Sequence, residues 1–548
     1  MGRIWIKNGT LIDGSGAGRY KADVVIENDR IAKIYKDAEV TLPSEDMTVL
    51  DVSGAVVTPG FIDVHRHCDR SPFDAQLGVH SACNPDGGYA EVLLRQGITT
   101  TITGNCGISM YPLSQDITVR KQMQDYYAPI LGDFSMCEDI QTFPDYMHSL
   151  GQVPLAVNTM AMIGIGAVRI CVNGFSDRPL TRGQIQMCQA IVEDAMKKGA
   201  PGATIGLMYL PECYSTVDEL GEILKPLGKY DKILCTHIRG EGDSLVTSVE
   251  EVIEIARRAG CKLEISHLKS CGIKNWRKEI YRVIERIDAA NARGQKVYCD
   301  FYPYDCGSTT LMSLIPPAFV KGDLSAALRR MGTPEGVDLL REMLTRDYED
   351  WDNYVISLGW DKAEISSVSR PENQWMIGKN IKEIAEEGDF KDEVEAASRI
   401  LLSENGNVAI VIHSMDQQDV DTIAKLPYSI VISDAIYADT NRPHPRMYGA
   451  FPHVIRDFVE NRRILTLEEA IHKMTGLPAE RFGIKNRGVI REGNLADLNI
   501  FEEKEFCDNA TYQNPTLLPS GLRYCLVNGR IAVDKDRVVN YSLGKILR

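Results

Sequence analysis

Short apolar segments alternate with amphipathic helical segments along most of this chain, and this alternation limits the possible folds more than any other feature. Helical periodicity is clear over residues 182–198, 246–259 and 278–293. Apolar segments of strand length lie between such helices, which is the pattern of parallel β/α units. Eight segments have this length: residues 56–65, 99–104, 155–158, 202–208, 233–237, 262–267, 296–302 and 429–434. Eight units predict an α/β fold built on a (β/α)8 TIM barrel. A ninth apolar run, residues 408–413, is interpreted as an extra strand.

Both ends of the chain predict a second, smaller β unit. Alternating apolar residues separated by turn residues occur at 3–7, 22–27 and 30–35, and again at 497–501, 524–527 and 530–533. We therefore expect a small β-sandwich domain made from residues 1–57 and 486–548, with the barrel over residues 58–485. Residues 320–405 are charged and helical, which predicts a helical insertion, or lid, before the last barrel strand.

Composition excludes several classes of function. The 548 residues carry a formal net charge of −15, which argues against nucleic acid because binding phosphates needs concentrated Lys and Arg. The sequence lacks an apolar run of about 18 residues, and its first residues lack the pattern of a signal peptide. The 14 cysteines show no disulfide-framework spacing, so we expect mostly reduced thiols and a cytoplasmic protein. The expected partner is a small-molecule substrate, without nucleic acid or membrane; the oligomeric state stays open, with a homo-oligomer as one option.

Metal-binding side chains follow the predicted strands at their carboxyl ends, where the catalytic groups of a barrel gather. The first strand ends in His65 and His67, which point to the same side because they are two residues apart. A bare His-x-His pair is as often structural as metal-binding. However, the chain has only ten His, and four of them end predicted strands. The remaining strand-end groups are Cys106, His237, His267 and Asp434.

These residue types suit a divalent metal such as zinc. His supplies a neutral nitrogen, a Cys thiolate is a soft anion that can bridge two ions, and Asp serves as ligand and proton acceptor. Such a set leaves coordination positions for water, as in a catalytic site. The chemistry expected is hydrolysis at a polarised carbonyl, because a bound metal lowers the pKa of water to about 7.

Longer motifs strengthen this interpretation. In chain order they are PGFIDVHRHCD (59–69), GITTTITGNCGIS (97–109), GLMYLPECYST (206–216), THIRGEGD (236–243), EISHLK (264–269), DFYPYDCGST (300–309), SDA (433–435), HPRMYGAFP (444–452) and MTGLPAERFGIKNRGVIREGNLADLNIF (474–501). Through these motifs the chain resembles the D-aminoacylase (N-acyl-D-amino-acid deacylase) family of the amidohydrolase superfamily, over nearly its whole length. The resemblance implies an amidohydrolase-type barrel that hydrolyses N-acyl-D-amino acids to a carboxylate and a free D-amino acid.

The resemblance also implies how the ligands are divided between two metal positions. One tightly held zinc would lie on Cys106, His237 and His267. A second and weaker position would be formed by His65, His67 and Asp434, with Cys106 able to bridge. Asp434 would take the proton from the attacking water and deliver it to the leaving amine, which amide hydrolysis requires.

Substrate-binding residues are expected near the same strand ends. Lys269, two residues beyond His267, could hold the substrate's α-carboxylate, or it could be an ordinary solvated lysine. The resemblance adds Tyr304 and either Ser308 or Thr309 as its companions. Arg446 either binds substrate or fixes its own loop.

Some positions carry weaker expectations. Arg239 and Glu241 follow a predicted ligand and could orient it. No role is assigned to His413. Three positions depart from the family pattern and bear on substrate preference more than on the reaction: Arg66, Leu268 and Ala435.

Two other functions compete with deacylation. The first is a cyclic-amide hydrolase of the hydantoinase or dihydropyrimidinase kind, although those relatives usually bridge their metals with a carboxylated lysine, where this chain has Cys106. The second is a catalytically inactive scaffold on the same barrel, which predicts lost ligands, whereas all six are present. The acyl group, the accepted side chain and the number of metals stay open.

Overall fold

A parallel barrel forms the centre of the molecule. The computed structural model describes residues 2–36, 47–74, 88–437 and 441–548. Within these ranges eight strands build the barrel, and we number them one to eight: Phe61–Asp63, Ile98–Thr103, Asn158–Ala161, Gly202–Gly206, Ile233–His237, Lys262–Ile265, Val297–Phe301 and Ser429–Val431.

The barrel closes between its first and last strands. Strands one to three pair in parallel, and strands four to eight pair in parallel in a second sheet. The short strand Ile163–Gly164 continues from strand three and pairs with strand four. Beyond strands one and eight, Arg66–His67 pairs with Ala435–Ile436. The Ser433 hydroxyl also donates a hydrogen bond of 2.6 Å to the Asp63 carboxylate.

Helices cover the outside of the barrel through apolar faces. Leu245–Ala259, for example, buries Val249, Val252 and Ala256, and it ends at Gly260, whose φ of 69° suits a helix C-terminus. The helices of at least five residues outside the insertion are Gly88–Arg95, Ile117–Leu131, Phe143–Leu150, Ile165–Asn173, Arg182–Lys197, Val217–Ile223, Lys225–Lys229, Leu245–Ala259, Glu279–Ala292, Gln417–Ala424, Arg446–His453, Val454–Asn461 (a π-helix), Leu467–Met474 and Gly476–Arg481.

Both ends of the chain join in one outer sheet with an apolar core of its own. The segment Val56–Pro59 connects the two halves, because it pairs in parallel with the first strand of the chain and antiparallel with Leu498–Phe501. In the described residues this sheet contains Arg3–Leu11, Tyr20–Glu27, Arg30–Lys36, Met47–Asp51, Val56–Pro59, Leu498–Phe501, Leu522–Val527, Arg530–Asp534 and Arg537–Val538.

In two of the predictions the barrel strand begins at least three residues too early. The predicted strand 56–65 is divided at Gly60 between the outer sheet and the barrel, and a side chain at Gly60 would overlap Thr99. The predicted strand 155–158 starts three residues later, at Asn158. The apolar segment before it is buried but bonds to the C-terminal segment instead, with the Gly544 N–H donating to the Leu155 carbonyl at 2.7 Å.

The insertion is mainly helical and shares a small sheet with its flanking segments. Its strand Ala363–Ser367 pairs antiparallel with Ala409–Ile412, which also pairs with Gly307–Thr310. The ninth apolar run is therefore a strand outside the barrel. The helices within residues 320–405 are Leu324–Met331, Pro334–Met343, Tyr354–Ser357, Ile381–Glu387 and Glu393–Ser403.

Other features of the described chain bear on the sequence analysis. The described cysteines are all free thiols. Long apolar helices of the kind that could traverse a bilayer are absent from the described residues. The sequence favours a buried thiol for Cys83 and an ordinary surface or packing residue for His80, and both positions lie outside the described ranges.

Candidate metal centre

The six residues predicted as metal ligands all lie at one end of the barrel. Each follows or ends a barrel strand, and each is buried, with at most 6% of its surface exposed. Parallel strands bring their carboxyl ends to one rim, so residues far apart in sequence converge there. The six are His65, His67, Cys106, His237, His267 and Asp434.

Cys106 and Asp434 lie at the centre of this cluster. The Cys106 sulfur is 3.2 Å from Nε2 of His65 and 3.5 Å from Nε2 of His267. One oxygen of Asp434 is 3.4 Å from Nε2 of His65 and equally far from Nε2 of His67. The rings of His237 and His267 are 4.5 Å apart.

Three groups of donor atoms are compact enough to surround an ion, with all their atoms within 4.8 Å of one another. They are His65, Cys106 and His267; His65, His67 and Asp434; and His237, Glu241 and His267. The second group contains the same three residues that were predicted to form the weaker metal position. The predicted tight set of Cys106, His237 and His267 is not among the three groups, and Nε2 of His237 lies 3.3 Å from the Met208 sulfur.

The donor set fits a resident divalent metal. The Nδ1 atoms of His65, His67 and His237 are buried without a hydrogen-bond partner among the described residues, although buried polar atoms are nearly always satisfied. Burial alone would raise the pKa of the Cys106 thiol. The neighbouring imidazoles of His65 and His267 outweigh it and hold that pKa well below its usual range. The thiolate is the form that binds metal.

Two of the predicted ligands have a strained backbone. Cys106 and His267 have φ values of 55° and 37°, a region that residues other than Gly, Asn and Asp rarely adopt. Strained residues persist where the surrounding structure holds them, and they cluster at functional sites. Gly107, beside Cys106, has no room for a side chain because Glu212 occupies that space.

Asp434 is held in its ionised form. Burial would raise the pKa of its carboxyl, but the Arg446 guanidinium and the histidines lower it well below its usual range. Arg446 Nη1 lies 2.9 Å from Asp434 Oδ2. Arg446 is itself only 1% exposed, so this pair is screened little by solvent.

Lys269 is not an ordinary solvated lysine, which was the alternative left open by the sequence, because it is buried beside the cluster. Its ammonium group forms an ion pair with Glu241 and lies 2.6 Å from Nδ1 of His267. Glu241 in turn lies 3.1 Å from Nδ1 of His267. Arg239, which was grouped with Glu241, instead pairs with Glu251 at 2.9 Å, on the far side of its loop.

A cavity opens beside the cluster. Lys269, Ser308 and Arg446 line it, as does Thr309. Tyr304 does not: its ring stacks on His453 with a centroid distance of 4.6 Å.

Tyr302 lines the cavity and was missed by the sequence analysis. Its ring centroid lies 4.5 Å from the Arg446 guanidinium and 5.7 Å from the Lys269 ammonium. Tyr302 and Tyr304 are two residues apart, so strand periodicity alone does not separate them.

His413, which the sequence left without a role, lies outside this cavity. It is exposed, and its Nδ1 is 2.9 Å from the Cys306 sulfur.

The insertion contributes one wall of the cavity through Tyr354. Two residues earlier, the Asp352 carboxylate accepts hydrogen bonds from the N–H groups of Gly242 and Ser244, at 2.6 and 2.9 Å. The Ser244 hydroxyl donates a third, at 2.9 Å. Asp352 thereby attaches the insertion to the loop that carries Glu241.

Comparison with known proteins gives consistent matches over the whole chain. A model described as an amidohydrolase family matches residues 400–533. The chain is 31% identical to an N-acyl-D-aspartate deacylase of Alcaligenes xylosoxydans xylosoxydans, over 99% of this chain and 94% of the relative. It is equally identical to a D-aminoacylase of the same organism, over 99% of this chain and 97% of the relative.

A solved structure matches as completely. The N-acyl-D-glutamate deacylase of Bordetella bronchiseptica, complexed with zinc and a phosphonate mimic of the tetrahedral intermediate, superimposes with a TM-score of 0.81. The two sequences are 28% identical, and the match covers 100% of this chain and 99% of the other.

Proposed function

The chain belongs to the D-aminoacylase (N-acyl-D-amino-acid deacylase) family of amidohydrolases, and from this membership we propose that it hydrolyses N-acyl-D-amino acids to a carboxylate and a free D-amino acid. The observation that carries the proposal is the convergence of buried imidazole, thiolate and carboxylate donors beside a cavity at the barrel rim. We take the substrate class from the names of the relatives and the type of reaction from the geometry of the site.

We propose zinc as the resident metal, on the basis of the donor residues described above. Cys106, His237 and His267 are the residues proposed to hold the tightly bound ion, and His65, His67 and Asp434 a second one. When bound, zinc supplies a Lewis acid that polarises the amide carbonyl and lowers the pKa of water.

Asp434 is the proposed proton shuttle. Its ionised carboxylate can accept a proton from the attacking water and return it to the amine as the C–N bond breaks. Arg446 favours the charged form and fixes one carboxylate oxygen, so the other oxygen remains directed at His65 and His67. This arrangement orients the shuttle before substrate arrives.

Lys269 and Arg446 are the proposed partners of the substrate's α-carboxylate. Both side chains reach the cavity, and Ser308, which also lines it, offers a hydroxyl. The Tyr302 ring lies near both cations, and Tyr302 takes the place in this proposal that the sequence analysis assigned to Tyr304. Glu241 positions His267 through its contact with Nδ1.

The two competing functions have less support. A cyclic-amide hydrolase would be expected to bridge its metals with a carboxylated lysine, whereas Cys106 lies at that place. An inactive scaffold would be expected to have lost ligands, whereas all six side chains are buried together.

The proposal extends to the organisation of the protein. Residues 1–57 and 486–548 act as one small β domain, residues 58–485 as the catalytic barrel, and residues 320–405 as its lid. We place the enzyme in the cytoplasm on the strength of its free thiols.

A panel of N-acetyl-D- and N-acetyl-L-amino acids tests this function. Release of free amino acid is measured with zinc-loaded protein and with protein stripped by a chelator. We expect metal-dependent release from D substrates only. Activity that survives complete stripping, or equal rates on both enantiomers, would contradict the proposal, and turnover of hydantoin or dihydrouracil instead would favour the cyclic-amide alternative.

A further inference from the structure

The cavity offers a substrate few cations. Among its described lining residues, the permanently positive side chains are Lys269 and Arg446. Each already faces a carboxylate: Lys269 that of Glu241, and Arg446 that of Asp434 at 2.9 Å. Both also lie near one aromatic ring, that of Tyr302, at 5.7 and 4.5 Å from its centroid. They therefore form a single cationic region, suited to a single carboxylate.

Apart from Glu241 and the predicted metal ligands, the rest of the wall is apolar or neutral. Ser308, Thr309 and Ser414 supply hydroxyls, and Tyr209 and Tyr354 supply aromatic surface. The remaining wall is aliphatic and thioether surface from Ile108, Ile130, Met208, Ile412 and Ile436. A second carboxylate placed against this wall would lose its hydration without gaining a counter-ion, which is strongly unfavourable.

From this distribution of charge we propose that the enzyme selects N-acyl-D-amino acids with an uncharged side chain and discriminates against those of aspartate and glutamate. The inference rests on the proposed function and narrows its substrate class. The relatives do not decide the point, because an aspartate deacylase and a general D-aminoacylase are equally similar to this chain. Substrates with an asparagine or glutamine side chain should still bind, since the hydroxyl groups of the wall can form hydrogen bonds with the side-chain amide.

Matched substrates isolate charge from size. kcat/KM is measured with zinc-loaded enzyme for N-acetyl-D-glutamine against N-acetyl-D-glutamate, and for N-acetyl-D-asparagine against N-acetyl-D-aspartate. We expect the neutral member of each pair to be preferred by about 100-fold, the scale of one unpaired buried charge. A preference below about tenfold, or a preference for the acids, would overturn the proposal.

A variant that adds a cation tests the cause. Ile412→Arg introduces a guanidinium on the apolar wall, and Ile412→Met serves as its uncharged control. We expect the arginine variant to lower the ratio of kcat/KM for N-acetyl-D-glutamine to that for N-acetyl-D-glutamate by about tenfold. The methionine variant should leave this ratio unchanged. Equal ratios in both variants would contradict the charge argument.

Equilibrium binding separates this proposal from the proposed function. Phosphonate analogues of the same four compounds, which carry no amide bond to hydrolyse, are titrated into the zinc-loaded wild-type protein, so that Asp434 keeps its charge beside Arg446. If the wild-type enzyme hydrolyses none of the four parent compounds, the proposed function fails. Tighter binding of the two analogues with amide side chains would nevertheless support the charge discrimination, and equal binding of acids and amides would overturn it.

Discussion

Arg446 and Asp434 form a buried ion pair that leaves the second oxygen of the carboxylate free to face the metal ligands. Arg446 Nη1 is 2.9 Å from Oδ2, whereas Oδ1 is 3.4 Å from Nε2 of both His65 and His67. The arginine thus orients the carboxylate through one oxygen and leaves the other for the proposed proton transfer.

Asp434→Asn removes the proposed proton acceptor at nearly constant volume. We expect kcat to fall by about 10² to 10⁴, the usual contribution of general acid–base catalysis, with circular dichroism unchanged. Zinc content measured by mass spectrometry should remain close to one tightly bound ion. Near-normal turnover with the same metal content would remove Asp434 from this role.

Arg446→Met tests how the charge of Asp434 is maintained. Without the guanidinium the pKa of Asp434 should rise, since Arg446 is the main group that opposes the effect of burial. The acidic limb of the kcat profile should then move to higher pH, by about one unit. Arg442→Met, on the same segment but paired with Glu364, is the matched control and should leave that limb in place.

Lys269→Ala should mainly raise KM, by roughly tenfold or more, because uniform binding of the substrate carboxylate is lost. Lys262→Ala is the control, since Lys262 begins strand six, whereas Lys269 follows the end of that strand, and Lys262 pairs with Asp231. Lys269 also contacts His267, so zinc content is measured in parallel. An unchanged KM with full zinc would leave Lys269 without a part in substrate binding.

Asp352→Ala removes three hydrogen bonds that attach the insertion to the loop after strand five. We expect faster proteolytic cleavage within residues 320–405, and a several-fold rise in KM as the Tyr354 wall loosens. Asp350→Ala changes an exposed carboxylate two residues earlier and should alter neither. Equal protease resistance in both variants would show that the attachment does not depend on Asp352.

Glu212 makes stability depend on pH. Burial raises the pKa of its carboxyl to about 8, so between its ordinary value of 4.5 and about 8 the folded protein holds a proton that the unfolded chain releases. Stability should therefore decrease as pH rises through this window. Glu212→Gln should reduce the drop in Tm between pH 5 and pH 8, by on the order of 2 °C.

Glu222→Gln is the comparison for Glu212, because Glu222 is an exposed glutamate. It should retain the full pH dependence of the wild type. An unchanged slope in Glu212→Gln as well would mean that other buried carboxyls cause the effect.

The barrel strands and their terminal groups follow from local pattern. The residues at the end of a barrel strand lie at the rim, independently of how other segments fold. His237 and His267 could therefore be located from their own segments. The bounds of strands one and three could not, because they depend on partners distant in sequence. Pairing with Leu498–Phe501 draws Val56–Pro59 out of the barrel, and the C-terminal segment engages Leu155.

The substrate side of the site was less predictable for the same reason. Tyr354 and Asp352 belong to an insertion whose position relative to the barrel no local pattern describes. Tyr302 and Tyr304 share one strand face in sequence, and only the packing of Tyr304 against His453 separates them. The function of each of these residues remains a prediction for the experiments above.

Closure of the barrel has a consequence for synthesis of the protein. Asp63 and Ser433, which join the first and last barrel strands, are 370 residues apart. At ordinary rates of translation, roughly 20 to 75 s pass between their appearances on the ribosome. During that time the nascent chain displays an unpaired apolar strand edge, the kind of surface that aggregates. Recombinant yield should therefore respond to chaperone supply and to growth temperature more than the stability of the finished enzyme would suggest.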